Sequence, residues 1–100
     1  MTRTLVYSGA ALDDLDQIFD YIAADNPGRA RAYIEDIRRT CRELCETPLI
    51  GTERADLRPG LRVLSLWRRV VVAYEMSEHE LIVLRVFASG RDYEAILGSD

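Results

Sequence analysis

Lysine is absent from this chain: all 13 basic residues among its 100 are arginine, and they are outnumbered by 17 acidic residues, for a net charge of −4. Without lysine, Schiff-base chemistry, phosphate binding by a P-loop and general-base catalysis by lysine are excluded. The acidic balance argues against long-range, non-specific attraction to nucleic acid, although local basic patches remain compatible with it. The length and the 48% hydrophobic content suit one globular domain over residues 1–100.

Long apolar runs are missing as well. The acids begin at Asp13, before a hydrophobic signal-peptide segment is complete, and no window approaches the roughly 18 apolar residues of a membrane span. We therefore expect a soluble cytoplasmic protein with no membrane partner.

Cysteine and histidine are too few for a recognisable metal site. Cys41 and Cys45 are the only cysteines. Their four-residue spacing within a predicted helix places both thiols on one face, which favours core packing over a disulfide or a metal site. His79, the one histidine, lies between two glutamates in a predicted loop, where we expect it to be solvated. No metal and no cofactor are predicted.

Two helices are predicted in the first half of the chain, after a short strand at Thr4–Tyr7. Ser8 is placed to cap the first helix and Asn26-Pro27 to begin the second. The apolar positions that recur at helical spacing are Ala11, Leu15, Ile18, Phe19 and Ile22 in the first helix, and Ala30, Ile34, Ile37, Cys41, Leu44 and Cys45 in the second. The acids predicted on the solvent side of the first helix are Asp13, Asp14, Asp16 and Asp20. The short connection between the helices predicts an antiparallel hairpin that covers one face of a flat layer.

Three strands are predicted in the second half, at 61–67, 70–76 and 81–88, with Ser77–Glu80 as a hairpin loop. Short connections make them an antiparallel meander. In the middle strand, we expect residues 70, 72, 74 and 76 to face the core and residues 69, 71, 73 and 75 to form the more open face. A short helical segment at 92–97 should return Ile96 and Leu97 to the core. The fold class is therefore α+β, with a helical hairpin packed on an antiparallel β-sheet that the N-terminal strand can extend.

Arg85 lies in the middle of the strongly apolar segment Leu81–Ala88. Because burial of an unpaired guanidinium is costly, Arg85 must pair with an acid, reach water or face a ligand groove. Pairing with Glu75 across the sheet would contribute only about 0.2–1 kcal/mol. We therefore favour a ligand-facing Arg85.

Five ordered blocks carry a family resemblance over almost the whole chain. They read SGAALDDLDQIFDYIAADNP at Ser8–Pro27, ARAYIEDI at Ala30–Ile37, CRELCETPLIG at Cys41–Gly51, LRPGLRVL at Leu57–Leu64, and RVFASGRD at Arg85–Asp92. With this order of elements, the chain resembles the RelE/ParE superfamily of bacterial type II toxin-antitoxin toxins, and its ParE branch in particular. The resemblance implies a toxin that inhibits DNA gyrase by binding. It also implies a hetero-oligomer with a ParD-like antitoxin that neutralises it.

Two alternatives remain open. Messenger-RNA cleavage of the RelE kind would require Arg62, Arg69, Arg85 and Arg91 as cations, with Tyr93 as acid or base. The tyrosine that the RelE branch carries after its turn arginine is replaced by Leu97, and Ala88-Ser89-Gly90 stands where the family often has histidine-glycine. We therefore assign no catalytic residue. A degenerate member that binds antitoxin without toxicity is the second alternative.

The segment Arg54–Arg69 is locally basic, with five arginines and one acid, Asp56. It is either a solvated edge or a docking patch for an acidic antitoxin segment or for gyrase-bound DNA. Trp67 is either an interface anchor or a core residue, and Arg91-Asp92 either fastens the C-terminal turn or contacts a partner. The candidates for contact with target or antitoxin are Arg62, Trp67, Arg69, Arg85, Arg91, Asp92 and Tyr93.

Overall fold

A computed structural model describes residues 2–88 and 92–98 of the chain. The described part contains three helices and five strands. In chain order they are β1 (Thr4–Tyr7), α1 (Gly9–Ala23), α2 (Pro27–Leu44), β2 (Thr52–Glu53), β3 (Arg62–Leu66), β4 (Val70–Met76), β5 (Glu80–Ala88) and α3 (Tyr93–Gly98). Within these residues, no helix is both long enough and apolar enough to cross a bilayer.

The starts of α1 and α2 follow the predicted capping residues. The Ser8 hydroxyl accepts a hydrogen bond from the Ala11 backbone N–H, and the Asn26 side chain accepts one from the Arg29 N–H. Both capping residues have extended backbone, and Pro27 occupies the first turn of α2. Each cap satisfies an N–H that the helix itself leaves unpaired. Both predicted helix starts are confirmed.

The strands form one sheet in the order β1-β5-β4-β3-β2. The predicted meander β3-β4-β5 is antiparallel, and Ser77–Glu80 makes its second turn. β1 extends the sheet, but it runs parallel to β5, so the sheet is mixed. A parallel neighbour requires a long crossover, and here the intervening chain contains both long helices. The two-residue β2 was not predicted, because Thr52-Glu53 lies in a polar, turn-rich segment.

Both faces of the sheet are buried. The α1–α2 hairpin covers the face that carries Val70, Val72 and Tyr74. The opposite face carries a second apolar cluster, which consists of Leu61, Val63, Ala73, Phe87 and Leu97. The expectation that residue 73 belongs to an open face is therefore wrong, because α3 and the segment before β3 cover Ala73 completely. Leu97 returns to the core as predicted.

The two cysteines are free and buried among the core residues that α2 contributes. Core packing is thus confirmed as their structural role. Burial raises the pKa of the Cys41 thiol to about 11, so that this thiol is neutral near pH 7.

Candidate functional site

A charged pair joins α1 to β5. The Asp14 carboxylate accepts two hydrogen bonds from the Arg85 guanidinium, at 2.8 Å from Nε and 2.9 Å from Nη2. It accepts a third, at 2.8 Å, from the Val86 backbone N–H. The Asp14 side chain is 5% exposed and that of Arg85 is 26% exposed. The hydrogen bonds that Arg85 donates to Asp14 raise the pKa of Arg85, and partial burial opposes that rise.

This pair corrects one expectation and excludes one of the alternatives for Arg85. Asp14 is buried and not on the solvent side of α1, because residues 11, 14, 15 and 18 share one helix face. Arg85 does not pair with Glu75: the sheet register sets Ala73 opposite Arg85, and Glu75 opposite Ile82. The guanidinium is already paired within the chain, which argues against a free ligand-facing cation. Direct contact of Arg85 with a partner stays a prediction.

The pair lies beside an irregularity in β5. Ala73 pairs with Arg85 and Tyr74 with Val83, which leaves Leu84 as an extra residue on β5. The Ser8 hydroxyl donates to the Leu84 carbonyl at 2.7 Å, and the Ser8 N–H donates to the Val83 carbonyl at 3.0 Å. Ser8, at the start of α1, therefore supplies hydrogen-bond donors for two carbonyls of β5, at the point where the pairing of β5 with β1 ends.

A groove of about 860 Å³ opens between α1, the start of α2 and the end of β5; we call it the α1–β5 groove. Its lining includes the apolar and aromatic residues Ile18, Ile22, Val86, Tyr21 and Tyr33. Its charged residues are Arg29, Arg69, Asp25 and Asp14, of which Asp14 is paired with Arg85. Tyr21 is 84% exposed, so its ring is accessible to a partner in the groove. The groove can accept apolar side chains while its arginines attract acidic ones.

The turn between β3 and β4 borders this groove. Residues Trp67–Arg69, which we call the hairpin tip, follow β3 directly, and the Arg69 N–H donates to the Leu66 carbonyl at 2.9 Å. Trp67 and Arg68 have φ of 52° and 59°, a left-handed conformation that favours glycine and asparagine. Trp67 is 49% exposed, so its predicted core alternative is wrong.

Aromatic and cationic groups meet at this turn. The rings of Tyr33 and Trp67 lie 5.9 Å apart in a tilted arrangement. Burial raises the pKa of the Tyr33 hydroxyl, and the positive charges of Arg69 and Arg29 oppose the rise. Among the residues that the structure describes, no carboxylate forms an ion pair with Arg29, Arg68 or Arg69. Arg68 and Arg69 belong to the predicted basic stretch, and Arg69 lines the groove together with Arg29 of α2.

Arg62 has a structural contact instead. Its guanidinium donates to the Gly51 carbonyl at 2.7 Å and to the Leu49 carbonyl at 3.3 Å. It thereby holds the connection between α2 and β2, which the fully buried Tyr74 also contacts. A partner contact for Arg62 stays a prediction.

Two of the three predicted C-terminal candidates also have contacts within the chain. Asp92 accepts a hydrogen bond from the Ala95 N–H, which stabilises the start of α3. Tyr93 packs against Phe87, with ring centroids 6.1 Å apart, and its hydroxyl lies 3.4 Å from the Arg54 guanidinium. Arg91 lies outside the described residues.

Arg54 and Asp14 are the two central residues that the sequence did not reveal. Arg54 makes two hydrogen bonds with Asp56 and one with Glu94, so it connects the segment after β2 to α3. These hydrogen bonds raise the pKa of Arg54. For Asp14, the signal was present in its helical spacing with Ala11 and Ile18. For Arg54 we find no such signal, since its partner Glu94 is 40 residues away.

No cluster of three or more potential metal ligands occurs in the described ranges, 2–88 and 92–98. His79 is 80% exposed, and its one acidic contact is Glu78 at 3.7 Å.

The architecture is that of a small α+β protein whose helical hairpin covers one face of a mixed sheet and leaves a groove at the end of the last strand. Residues 5–93 match the family model for the ParE toxin of type II toxin-antitoxin system, parDE. The chain is 32% identical over 99 residues to Toxin ParE3 of Caulobacter vibrioides, with 96% of this chain and 92% of that protein covered.

A solved structure of the chromosomal ParDE TA system from P. aeruginosa matches with a TM-score of 0.74 and 27% identity. The match covers 87% of this chain and 96% of that one. The chain belongs to the ParE toxin family of type II toxin-antitoxin systems, within the RelE/ParE superfamily. The family and the fold class predicted from the sequence are confirmed.

Proposed function

We propose that this toxin inhibits DNA gyrase by binding, without chemistry of its own, and that a ParD-like antitoxin neutralises it by occupying the α1–β5 groove. The observation that carries the gyrase assignment is the match to the ParE family over residues 5–93. RelE-like cleavage would need its arginines free to contact RNA. Two of them already have contacts within the chain, which supports a binding mechanism. Arg85 pairs with Asp14, and Arg62 bonds to backbone carbonyls.

The groove supports the antitoxin part of the proposal. Its apolar residues, such as Ile22 and Val86, suit the hydrophobic side of a peptide segment. Arg29 and Arg69 provide positive charge for acidic residues on the other side of that segment. Tyr21, largely exposed at the groove, is the candidate anchor.

A supercoiling assay tests the gyrase assignment. Purified toxin should inhibit supercoiling by gyrase and trap a cleaved DNA complex, while relaxation by a type I topoisomerase continues. Added antitoxin, taken from the neighbouring reading frame, should restore gyrase activity. Normal supercoiling at saturating toxin would overturn the proposal, and mapped cuts in translated messages would instead support RelE-like cleavage.

A pair of matched variants tests the groove. Tyr21→Glu places a charge on an exposed groove residue and should weaken antitoxin binding at least tenfold in a titration. Leu49→Glu changes an exposed apolar residue outside the groove lining, 67% exposed, and should bind antitoxin like the wild type. Equal affinities for the two variants would exclude the groove as the antitoxin site while leaving the gyrase assignment intact.

A further inference from the structure

The hairpin tip contains residue types that are unusual for its backbone conformation. A turn with positive φ at both central residues normally contains glycine, asparagine or aspartate, because other side chains are strained there. This chain has Trp67 and Arg68 at those positions, with φ of 52° and 59°. Strained residues of this kind concentrate at functional sites, where the side chain is needed more than the local stability.

The surroundings of the tip leave it accessible. On one side, β2 pairs only with Arg62 and Val63 of β3, far from the turn. On the other side, β5 pairs as far as Ala88, opposite Val70. In the described part of the chain, β5 therefore flanks β4 up to the turn, and only the three tip residues lie beyond the last pair of the hairpin, Leu66 and Val70. Trp67, Arg68 and Arg69 are all exposed.

The charge of the tip is opposite to that of the chain as a whole. Arg68 and Arg69 are adjacent, and neither pairs with a described carboxylate. Arg29 lines the same groove as Arg69. The acids of that lining are Asp25 and Asp14, and Asp14 is already paired with Arg85. The tip is thus a cationic, aromatic turn on a protein of net charge −4.

We propose that the hairpin tip contacts the phosphate backbone of the DNA that gyrase holds, with Trp67 placed against the sugars or bases beside it. This inference rests on the proposed inhibition of gyrase. Guanidinium groups match phosphate geometry, and an exposed aromatic ring can stack on a base. The exposed turn suits a phosphate backbone, whereas a peptide segment suits the concave α1–β5 groove.

The acidic net charge sets the conditions for this contact. The whole chain is repelled by free DNA, so the tip alone should not hold it to naked duplex at physiological salt. The contact forms when gyrase presents the DNA. Because Arg69 belongs to both the tip and the groove lining, a segment bound in the groove also covers one end of the tip. Antitoxin binding and DNA contact then exclude each other.

Site-specific cross-linking identifies what the tip touches. Toxin with Trp67→p-benzoylphenylalanine is irradiated with gyrase and labelled duplex, and Leu49→p-benzoylphenylalanine serves as the control. The expected result is a toxin–DNA adduct from position 67 only, present with gyrase and absent without it. Antitoxin should abolish the adduct. Adducts from position 67 to gyrase polypeptide alone would overturn the DNA assignment.

Charge reversal tests whether the tip is required. Arg68→Glu/Arg69→Glu should raise the toxin concentration for half-inhibition of supercoiling at least tenfold. The control Arg31→Glu/Arg39→Glu makes the same change of charge at two exposed arginines of α2 that belong neither to the tip nor to the groove lining, and it should inhibit like the wild type. Equal inhibition by both double variants would refute the tip proposal alone. Failure of the wild type to inhibit gyrase would refute the proposed function, and the tip proposal with it.

A third variant distinguishes weaker inhibition that is due to a lost contact from weaker inhibition that is due to lost stability. Arg68→Gly removes a side chain from the left-handed position without adding negative charge, so it should melt at a higher temperature than the wild type. It should nevertheless inhibit gyrase more weakly. Unchanged inhibition in this variant would contradict a role for Arg68 in the contact.

Discussion

Asp14 and Arg85, 71 residues apart in the chain, form a two-pronged ion pair that fastens the first long helix to the last strand. The same carboxylate satisfies the Val86 N–H beside the irregular Leu84. The residue that most resembled a ligand-binding cation thus has an internal partner. Asp14 also lines the α1–β5 groove, so the pair forms part of the groove wall.

Replacement of Asp14 should destabilise the fold markedly. Asp14→Asn leaves the Arg85 guanidinium without its counter-ion, and loss of one partner of a buried pair costs about 3–5 kcal/mol. We expect the lower end of that range, because the Arg85 side chain reaches water. Urea unfolding measures the change. Asp16→Asn, on the exposed side of the same helix, is the control and should unfold like the wild type.

The two helix caps should differ in their contribution to stability. Asn26→Ala removes a cap from α2 and should cost about 1 kcal/mol. Ser8→Ala removes the cap of α1 and also the hydrogen bond to the Leu84 carbonyl, which adds about 1 kcal/mol. Thermal unfolding of the two variants measures the difference. Equal losses of stability would show that the bond to Leu84 contributes nothing.

Gly51 should not tolerate a side chain. A Cβ atom at this position would collide with the hydroxyl of the buried Tyr74, which also donates to the Pro48 carbonyl. Gly51→Ala should therefore cost about 1–3 kcal/mol. In a Tyr74→Phe background the cost should fall without vanishing, since a ring carbon remains 2.9 Å from the added atom.

A double-mutant cycle by urea unfolding measures this coupling. Gly9→Ala is the matched control, because a Cβ there meets nothing within 4 Å. Additive losses for Gly51→Ala and Tyr74→Phe would rule out the collision as the cause.

The protein should lose stability in alkaline solution through Cys41. Burial raises the pKa of this thiol to about 11 from 9.0. Because the pKa of Cys41 is higher in the folded state than in the unfolded state, the stability that its neutral thiol contributes is fully present below pH 9. It is lost as the pH rises toward 11, since the unfolded chain releases the proton first. The loss is at most about 1.4 kcal/mol per pH unit.

Unfolding in urea at pH 7, 8, 9 and 10 measures this dependence. Cys41→Val should flatten the decline above pH 9 and leave the values at pH 7 and 8 parallel to those of the wild type. Burial also raises the pKa of Cys45, so some slope should remain in the variant. An unchanged slope in Cys41→Val would assign the alkaline loss to other groups.

The local elements could be predicted from the sequence because their signals are local. Ser8 and Asn26-Pro27 mark the helix starts, the three-four spacing from Ala30 to Cys45 marks the buried face of α2, and β-rich runs mark the meander. The family could also be recognised, because five blocks in a fixed order extend over nearly the whole chain. Asp14 was wrongly assigned to the solvent side, because an acid near a helix start is more commonly solvated, although its spacing with Ala11 and Ile18 placed it on the buried face of α1.

Only the tertiary structure decided which distant groups meet. The parallel pairing of β1 with β5, the burial of Ala73 beneath α3, and the contacts of Arg54 with Glu94 all depend on how completed elements pack. So does the choice between pairing and exposure for an arginine. Arg85 and Arg69 are the same residue type in β-rich segments, yet the first lies against Asp14 and the second at an exposed turn. Sequence spacing fixes which face of an element a side chain occupies, but its electrostatic environment is set by the element that packs against that face.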